Sequence, residues 1–296
     1  MKPLSTIVLP SAQIDLQKWD ACVASSSHQN VFMYSFSLNA LCENWSGIIW
    51  GDYEAVLPLP WRKKWGLKYM YQVPFMASLS VMQQPNLSID IPALQQLLRK
   101  HFRFLHIDIQ HIFFENWTVR KRVNFYLPLN NSYTEISSNY TNECTKNLRK
   151  AINRGCTLKR IYSTETVFTL YQNAYGSLQQ QHINNNYTAA ITFAKEAMQQ
   201  NKASVWQVTQ NNSDEPIFAA IVLHDKNRYY YWLGAPTENG RYCRATYFFI
   251  DEMIKMHCQT DTIFDFEGSD IENVAHFYQQ FSPKSEYYFE VKKFLF

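Results

Sequence analysis

The most restrictive feature of this 296-residue sequence is a repeated order of predicted strands. Four segments of the first half, 48–50, 54–59, 69–71 and 104–109, have counterparts at 205–207, 217–222, 229–231 and 262–267. Short apolar or alternating runs of this kind are typical of strands. The near-constant offset predicts a duplicated domain of about 150 residues. We expect an N-terminal domain over 1–135 and a C-terminal domain over 136–296.

The scarcity of glycine limits the kinds of ligand site that the chain can form. There are 8 glycines, and no two lie closer than four residues apart. Loops that wrap a phosphate with backbone N–H groups need clustered glycines, because the chain must approach closely and often takes a positive φ. The sequence contains neither GxGxxG nor GxxxxGK[ST], which argues against a Rossmann dinucleotide site and a P-loop.

Cysteine and histidine spacing argues against a metal site. The six cysteines form no CxxC pair, and the eight histidines fit no metal-binding pattern. We therefore expect no metal. Scattered cysteines favour reduced thiols and a cytoplasmic location, with a secreted disulfide protein as the alternative.

Neither net charge nor hydropathy indicates a dedicated nucleic-acid or membrane protein. The formal charge of +3 is too small to indicate general binding of nucleic acids. The N-terminal segment is a poor signal peptide, and no apolar run approaches the length of a membrane span. We therefore expect no stable membrane insertion.

A cationic helix is predicted from about 142 to 154, ending at Gly155. Helical spacing places four cations on one face: Lys146, Arg149, Lys150 and Arg154. Leu148, Ala151 and Ile152 are predicted on the opposite, buried face. The segment 145–160 has no acidic residue, so the helix predicts a site for an anionic ligand. The alternative is the solvated face of an ordinary amphipathic helix.

A second basic segment, WRKKWGLK at 61–68, is predicted as the tip of a hairpin. Aromatic and basic side chains together are typical of RNA stacking or of contact with a membrane surface. The alternative is an exposed tip whose lysines prevent edge pairing.

The segment DTIFDFEGS at 261–269 predicts a strand with Asp265 and Glu267 on one face and two phenylalanines on the other. A carboxylate on a covered face is costly unless it is paired or functional. Either the two acids are catalytic, or they lie at an exposed strand end or pair with a core histidine or tyrosine. On the next helix, Tyr278 either presents its hydroxyl to the same site or is a core tyrosine.

The C-terminal half resembles the GNAT acyltransferase superfamily, and within it the Fem-type aminoacyl transferases. The resemblance rests on element order and on three segments, KNLRKAINRG, FDFEGS and FYQQF. It covers about 142–292 and reaches the first half by element order alone. It implies an α/β fold with mixed sheets (α+β), built from two tandem GNAT-like domains of which the first is degenerate.

The resemblance implies an N-acyltransferase that uses acyl-CoA or aminoacyl-tRNA as co-substrate. The acceptor would be a small-molecule or cell-wall-precursor amine, with tRNA as a partner if the donor is aminoacyl-tRNA. The donor would lie along a strand and the loop that follows it, at Leu233, Gly234, Ala235, Gly240, Arg241 and Arg244. Tyr278 would protonate the leaving group, as the tyrosine on this helix does in many GNAT enzymes.

Two departures from the family pattern leave alternatives open. Glu267 stands where the Fem-type pattern usually has glycine, so its role as general base, shared with Asp265, comes from its strand position. Arg244 stands where the first glycine of the family's donor loop belongs. The chain is therefore either an acyltransferase or a non-catalytic GNAT-fold binding protein that has lost the donor site. A module that binds RNA or a membrane surface is the third possibility.

Overall fold

The computed structural model describes residues 4–85, 87–179, 184–211, 213–267 and 271–294. Gly268 and Ser269 of the FDFEGS segment lie outside these ranges. Thirteen strands lie within them: β1 (Thr6–Pro10), β2 (Trp45–Trp50), β3 (Ala55–Lys64), β4 (Leu67–Tyr71), β5 (Met82–Gln83), β6 (Phe104–Gln110), β7 (Thr118–Pro128), β8 (Cys156–Ile161), β9 (Ala203–Gln210), β10 (Phe218–His224), β11 (Arg228–Pro236), β12 (Ile263–Asp265) and β13 (Lys284–Phe294).

The described ranges also contain ten α-helices: α1 (Leu16–Ser25), α2 (Ser35–Leu41), α3 (Ile91–His101), α4 (Tyr133–Ser138), α5 (Asn142–Asn153), α6 (Glu165–Gln179), α7 (Asn184–Gln199), α8 (Glu238–Cys243), α9 (Ala245–His257) and α10 (Glu272–Gln279). Polar side chains cap several of them. Thr141 Oγ1 accepts the Cys144 N–H at the start of α5, and Gly155 follows its end with φ +72°. The cationic helix therefore begins and ends close to its predicted bounds.

The chain forms two compact units that differ from simple halves. The first contains 1–122, 188–193 and 287–296, and the second contains 123–187 and 194–286. The predicted domain boundary after residue 135 refers to the duplicated sequence segments, and it stays a prediction.

Each unit contains six strands in the same order and orientation. The order is β1-β2-β3-β4-β6-β13 in the first unit and β8-β9-β10-β11-β12-β7 in the second, and β5 also pairs with β3. In both units the first four strands are antiparallel, the fifth is parallel to the fourth, and the sixth is antiparallel to the fifth. This shared topology is the structural form of the repeat seen in the sequence.

The sixth strand of each unit comes from a distant part of the sequence. Residues 288–294 of β13, the last strand of the chain, pair with β6 of the first unit. Residues 126–128 of β7 pair with β12 of the second unit. The first unit therefore depends on a C-terminal segment for its sixth strand.

An aromatic core forms between α9 and the sheet of the second unit. Phe249 of α9 packs with its ring centroid 4.9 Å from Phe218 and 5.5 Å from Tyr231. Full burial of each such side chain stabilises the fold by about 1.5–3 kcal/mol.

One face assignment on α5 is wrong. Ile152 was expected on the buried face, but it is 61% exposed. The helix packs through Cys144, Leu148 and Ala151, which share a narrower stripe with i, i+4, i+7 spacing. Ile152 lies beside this stripe and faces solvent.

Candidate functional site

The second unit has a gap where two parallel strands separate. Residues 228–230 of β11 pair with 263–265 of β12. β12 then ends at Asp265, whereas β11 continues along β10 to Pro236. In the described part of the chain, β11 and β12 thus separate beyond Tyr230 and Asp265. Three predicted donor-site residues lie on β11 beyond this point: Leu233, Gly234 and Ala235.

A β-bulge shapes β11 at the gap. Ile221 pairs with Leu233 and Val222 with Tyr231, which leaves Trp232 as the extra residue. A Cβ at Gly234 would lie 2.5 Å from the Tyr231 hydroxyl oxygen. Only glycine at position 234 leaves enough space for the Tyr231 hydroxyl in this position.

Tyr171 and Tyr175 of α6 are close enough to Tyr231 and Tyr278 to influence their pKa values, and we call these four residues the tyrosine cluster. The buried ring of Tyr278, on α10, lies 4.8 Å from Phe266 and 6.4 Å from Tyr231. The rings of Tyr171 and Tyr175 on α6 lie 5.0 Å apart. The structure thus places Tyr278 in the aromatic core next to the point where β11 and β12 separate, and its role in a site stays a prediction.

The hydroxyls of Tyr231 and Tyr278 hold their protons strongly. Burial raises the pKa of Tyr278 well above its ordinary value, and Tyr175, Glu267 and Tyr171 add to the rise. Burial also raises the pKa of Tyr231, with Tyr278 as the next contributor. These phenols are therefore proton donors near neutral pH, not phenolates.

Glu267 lies outside the strand that was expected to contain it. The alternation predicted Asp265 and Glu267 on one strand face, but β12 ends at Asp265, and Glu267 has φ 48°. Its N–H donates to Asp265 Oδ1 at 2.9 Å, a local bond that stabilises the left-handed turn. Burial raises the pKa of the Glu267 carboxyl well above its ordinary value, and Asp265 raises it further.

Asp265 is the centre of a buried polar network. Its Oδ1 also accepts a hydrogen bond from Asn124 Nδ2 at 2.8 Å, and its Oδ2 accepts one from Arg228 Nη1 at 2.5 Å. Arg228 also contacts Glu286, with Nη1 2.7 Å from Oε1 and Nη2 3.2 Å from Oε2. Two alternatives considered for Asp265, an exposed strand end and pairing with a core histidine or tyrosine, are therefore wrong, because Asp265 is buried and its side chain pairs with Arg228 and Asn124.

The charges of this network oppose the effect of burial in part at Asp265 and outweigh it at Arg228. Burial raises the pKa of Asp265, while Arg228 lowers it. Burial would lower the pKa of Arg228, but the carboxylates of Asp265 and Glu286 hold it well above its ordinary value. Both Asp265 oxygens are engaged, so its geometry suits a positioning role better than proton transfer.

The cationic helix reaches the predicted donor loop at its last residue. Lys146 and Arg149 are exposed and Lys150 is half-buried. The guanidinium of Arg154 lies 3.9 Å from the ring centroid of Tyr242 and donates to the Tyr242 carbonyl oxygen. The structure thus brings Arg154 onto the donor loop and leaves the other cations on the helix surface.

The donor loop folds into α8, whose glycine has a packing role. The N–H of Gly240 donates to Thr237 Oγ1 at 3.0 Å, which caps the helix. A Cβ on Gly240 would lie 1.9 Å from the carbonyl oxygen of Ile217. Gly240 therefore permits close approach of α8 to the chain entering β10.

Arg244 has the backbone conformation that a glycine would favour. It links α8 to α9 with φ 62° and ψ 31°, and its N–H donates to the Arg241 carbonyl oxygen at 3.2 Å. The side chains of Arg241 and Arg244 are exposed. Within the described chain no side chain caps the start of α9. Arginine has thus replaced glycine without removing the left-handed turn.

Several residues around the gap carry no signature recognisable in the sequence: Asn124, Tyr171, Tyr175, Tyr231 and Glu286. Arg228 does carry a signal, because it is a charge at the start of the apolar run RYYYWLGAP. Such a charge indicates a buried partner. Nothing in the sequence identifies that partner.

No helix in the described part of the chain is both long and apolar enough to cross a membrane.

Comparison with solved structures identifies the fold. FemX is 12% identical to this chain, with 97% of each chain covered and a TM-score of 0.64. L-PGS from Bacillus licheniformis is 10% identical over 94% of this chain and 91% of that chain, with a TM-score of 0.53. A tandem GNAT protein from the clavulanic acid biosynthesis pathway is 11% identical over 97% and 98%, at 0.51. No protein-family model and no curated protein matches the sequence. The chain has a mixed α/β, tandem GNAT-like fold of the Fem type.

Proposed function

We propose that this chain is an N-acyltransferase that moves an acyl or aminoacyl group from acyl-CoA or aminoacyl-tRNA to an amine. The observation that carries the proposal is the separation of β11 from β12. Next to it, the Glu267 carboxyl raises the pKa of Tyr278. The gap offers proton donors and one carboxyl of raised pKa, which is what amine acylation needs. The acceptor class that we propose is a small-molecule or cell-wall-precursor amine, acylated in the cytoplasm.

Glu267 is the proposed general base. An acceptor ammonium must lose a proton before its nitrogen can attack the donor carbonyl carbon. A carboxyl with a raised pKa is better matched to this task near neutral pH than an ordinary one. Asp265 is a positioning residue in this scheme, because its Oδ1 accepts the Glu267 N–H and its Oδ2 is bound to Arg228.

Tyr278 is the proposed general acid. Attack by the amine forms the new C–N bond, and collapse of the intermediate breaks the thioester C–S bond or the ester C–O bond. The leaving sulfur or oxygen takes the proton from Tyr278, and the proton held by Glu267 returns through water to restore the phenol. The attacking nitrogen releases its second proton to solvent as the amide forms. Backbone N–H groups of β11 near Leu233, Gly234 and Ala235 are the proposed donors that stabilise the oxyanion.

Cations at the end of β11 are the proposed anion site for the donor. Arg241 and Arg244 are exposed on the loop that follows the gap, and Arg154 holds that loop through Tyr242. Arginine recognises phosphate through paired N–H groups. Lys146, Arg149 and Lys150 extend the positive surface for a longer polyanionic donor or acceptor.

The first unit supports placing the site in the second. There the parallel pairing of β4 and β6 also ends early, at Tyr71 and His106. The chain then returns, and Leu79 pairs with Ile109 on the edge of β6 that β4 has left, since β13 covers the other edge. The Leu79 N–H donates to the Asp108 carbonyl oxygen at 2.8 Å. Backbone therefore occupies the gap in the first unit, which supports the degenerate status proposed for that half.

The first test is binding and turnover with defined donors. Calorimetry with acetyl-CoA, longer acyl-CoA and aminoacyl-tRNA should reveal one donor class, and thiol release with primary amines should report transfer. Absence of binding by every donor at millimolar concentration would remove the proposal.

The second test concerns the catalytic residues. We expect Glu267→Gln and Tyr278→Phe each to lower kcat/KM by about 10²–10⁴-fold. The matched controls are two substitutions at exposed positions: Glu272→Gln, on the same helix as Tyr278, and Tyr287→Phe, on β13. Unchanged turnover in the first pair would exclude these two residues from the mechanism.

A second function, a GNAT-fold protein that binds ligands without catalysis, is favoured by one observation. The Arg244 N–H is already bonded to Arg241, so this group is not available to a donor phosphate. If the site is damaged by arginine, Arg244→Gly should improve coenzyme binding. If Arg244 instead binds the donor by its side chain, the same variant should bind more weakly.

A further inference from the structure

The β3–β4 hairpin of the first unit ends in an exposed apolar tip. β3 extends to Lys64 and β4 begins at Leu67, so the turn consists of Trp65 and Gly66, both with positive φ. Trp65 is 88% exposed and Leu67 is 52% exposed. A large side chain is unfavourable at positive φ, and this indole adds little buried area to the fold. The tip is therefore better explained by a contact outside the chain than by folding.

A ring of cations surrounds this tip. Lys63, Lys64 and Lys68 are exposed, and the N–H of Arg103 donates to the Lys68 carbonyl oxygen, which places another exposed cation beside them. Arg62 is the exception, because its Nε lies 2.9 Å from Glu43 Oε2. The sequence has no acidic residue across 55–89 or 91–107. The partner of this tip must therefore be anionic.

The side-chain geometry favours a lipid surface over RNA. Base stacking requires open aromatic faces. Here Lys68 Nζ lies 4.3 Å from the ring centroid of Trp61, and Lys64 Nζ lies 4.8 Å from that of Trp65, so a cation already covers one face of each ring. Leu67 offers nothing to a base. Trp and Leu at the apex with lysines around them instead match a segment that enters the boundary between headgroups and acyl chains.

We propose that the β3–β4 hairpin docks the protein on membrane surfaces rich in anionic lipid. Trp65 and Leu67 enter the headgroup boundary, and Lys63, Lys64 and Lys68 contact lipid phosphates. The contact is peripheral and reversible, and it is independent of the acyl-transfer chemistry proposed for the second unit.

The two kinds of side chain have separable effects. Each lysine near an anionic surface contributes roughly fivefold to the partition coefficient, so Lys63→Gln with Lys64→Gln should weaken binding about 25-fold. Trp65→Ser with Leu67→Ser keeps every charge and should weaken binding on the order of tenfold or more. All four positions are exposed, so these variants should keep their fold, which circular dichroism would check.

The experiment is flotation of the full chain with vesicles of equal phosphatidylglycerol and phosphatidylcholine, against pure phosphatidylcholine. We expect binding to the anionic vesicles alone, which declines with added salt. Lys226→Gln with Lys284→Gln removes the same charge from exposed sites of the second unit and should bind like the unaltered chain.

Three results would overturn the proposal. The first is no binding of the unaltered chain to anionic vesicles. The second is equal binding by the variant lacking Trp65 and Leu67, which would reduce the contact to charge attraction. The third is hairpin-dependent binding to a mixed-sequence single-stranded RNA in the absence of vesicle binding, which would assign the tip to nucleic acid.

Discussion

Arg154 stacks on Tyr242 and donates a hydrogen bond to the carbonyl oxygen of the same residue. This contact connects the end of α5 to α8, so the cationic helix and the donor loop are one assembly in the second unit. The other cations lie on the surface of α5, whereas Arg154 connects the end of α5 to α8.

The first prediction separates these two roles. Arg154→Ala should lower the free energy of unfolding by about 1–2 kcal/mol, because it removes a stacking contact and leaves a carbonyl oxygen without this donor. Arg149→Ala should leave stability within about 0.5 kcal/mol, since Arg149 is exposed. Urea unfolding measures both, and donor titration should show weaker binding in each. Equal stability of the two variants would show that the contact of Arg154 with Tyr242 does not stabilise the fold.

The second prediction concerns the left-handed turn at Arg244. Arg244→Gly should be more stable than Arg244→Ala by about 1 kcal/mol, because alanine keeps the steric cost of positive φ and glycine does not. Comparing the two variants removes the effect of losing the guanidinium. The measurement is the difference in unfolding free energy. An alanine variant as stable as the glycine variant would indicate a different backbone conformation.

The third prediction concerns Arg228. Arg228→Met should cost about 3–5 kcal/mol, because it leaves the buried carboxylate of Asp265 and the half-buried carboxylate of Glu286 without their counter-charge. Asp265→Asn should cost less, since the pair of Arg228 with Glu286 persists. Chemical denaturation with Arg149→Met as the exposed control tests the order. A loss in Asp265→Asn greater than that in Arg228→Met would reverse the assignment of the central charge.

The fourth prediction concerns Asp108, a buried acid of the first unit that lies 3.0 Å from Arg122 Nη1. Burial raises its pKa from the ordinary 3.8 to about 6, against the opposing effect of Arg122. A raised pKa in the folded state favours the protonated form, so its stabilisation is complete below 3.8 and is lost as pH rises through 6. The unaltered chain should therefore gain up to about 3 kcal/mol over Asp108→Asn between pH 7 and pH 4.

Urea unfolding of both proteins across this pH range gives the difference directly. Asp214→Asn, at an exposed acid, should show no such gain. A constant difference between the unaltered chain and Asp108→Asn would show that Asp108 does not titrate in this range.

Local patterns in the sequence predict much of the fold. Gly155 marks the end of α5, and each of the repeated sequence segments overlaps a strand of the structure. These signals are readable because capping and alternation depend on neighbours in the chain. The tandem order of strands follows from the same local patterns repeated twice.

The site depends on contacts that sequence spacing does not encode. Asp265 meets Arg228 across a parallel strand pair and Asn124 across an antiparallel one, at separations of 37 and 141 residues. Alternation also fails at Glu267, because a side-chain bond from Asp265 turns the backbone left-handed where the strand would have continued. Alternation and helical spacing apply only within regular strands and helices, whereas this candidate site lies where strand β12 ends.

The exchanged strands have a consequence for synthesis of the protein. Because β13 supplies the sixth strand of the first unit, that unit cannot complete its sheet until residues 288–294 have left the ribosome. The edge of β6 must wait, unpaired, while the whole second unit is translated, and an unpaired edge is a site of aggregation. A chain interrupted before β13 should therefore leave the first unit incomplete, and aggregation should begin at the unpaired edge of β6.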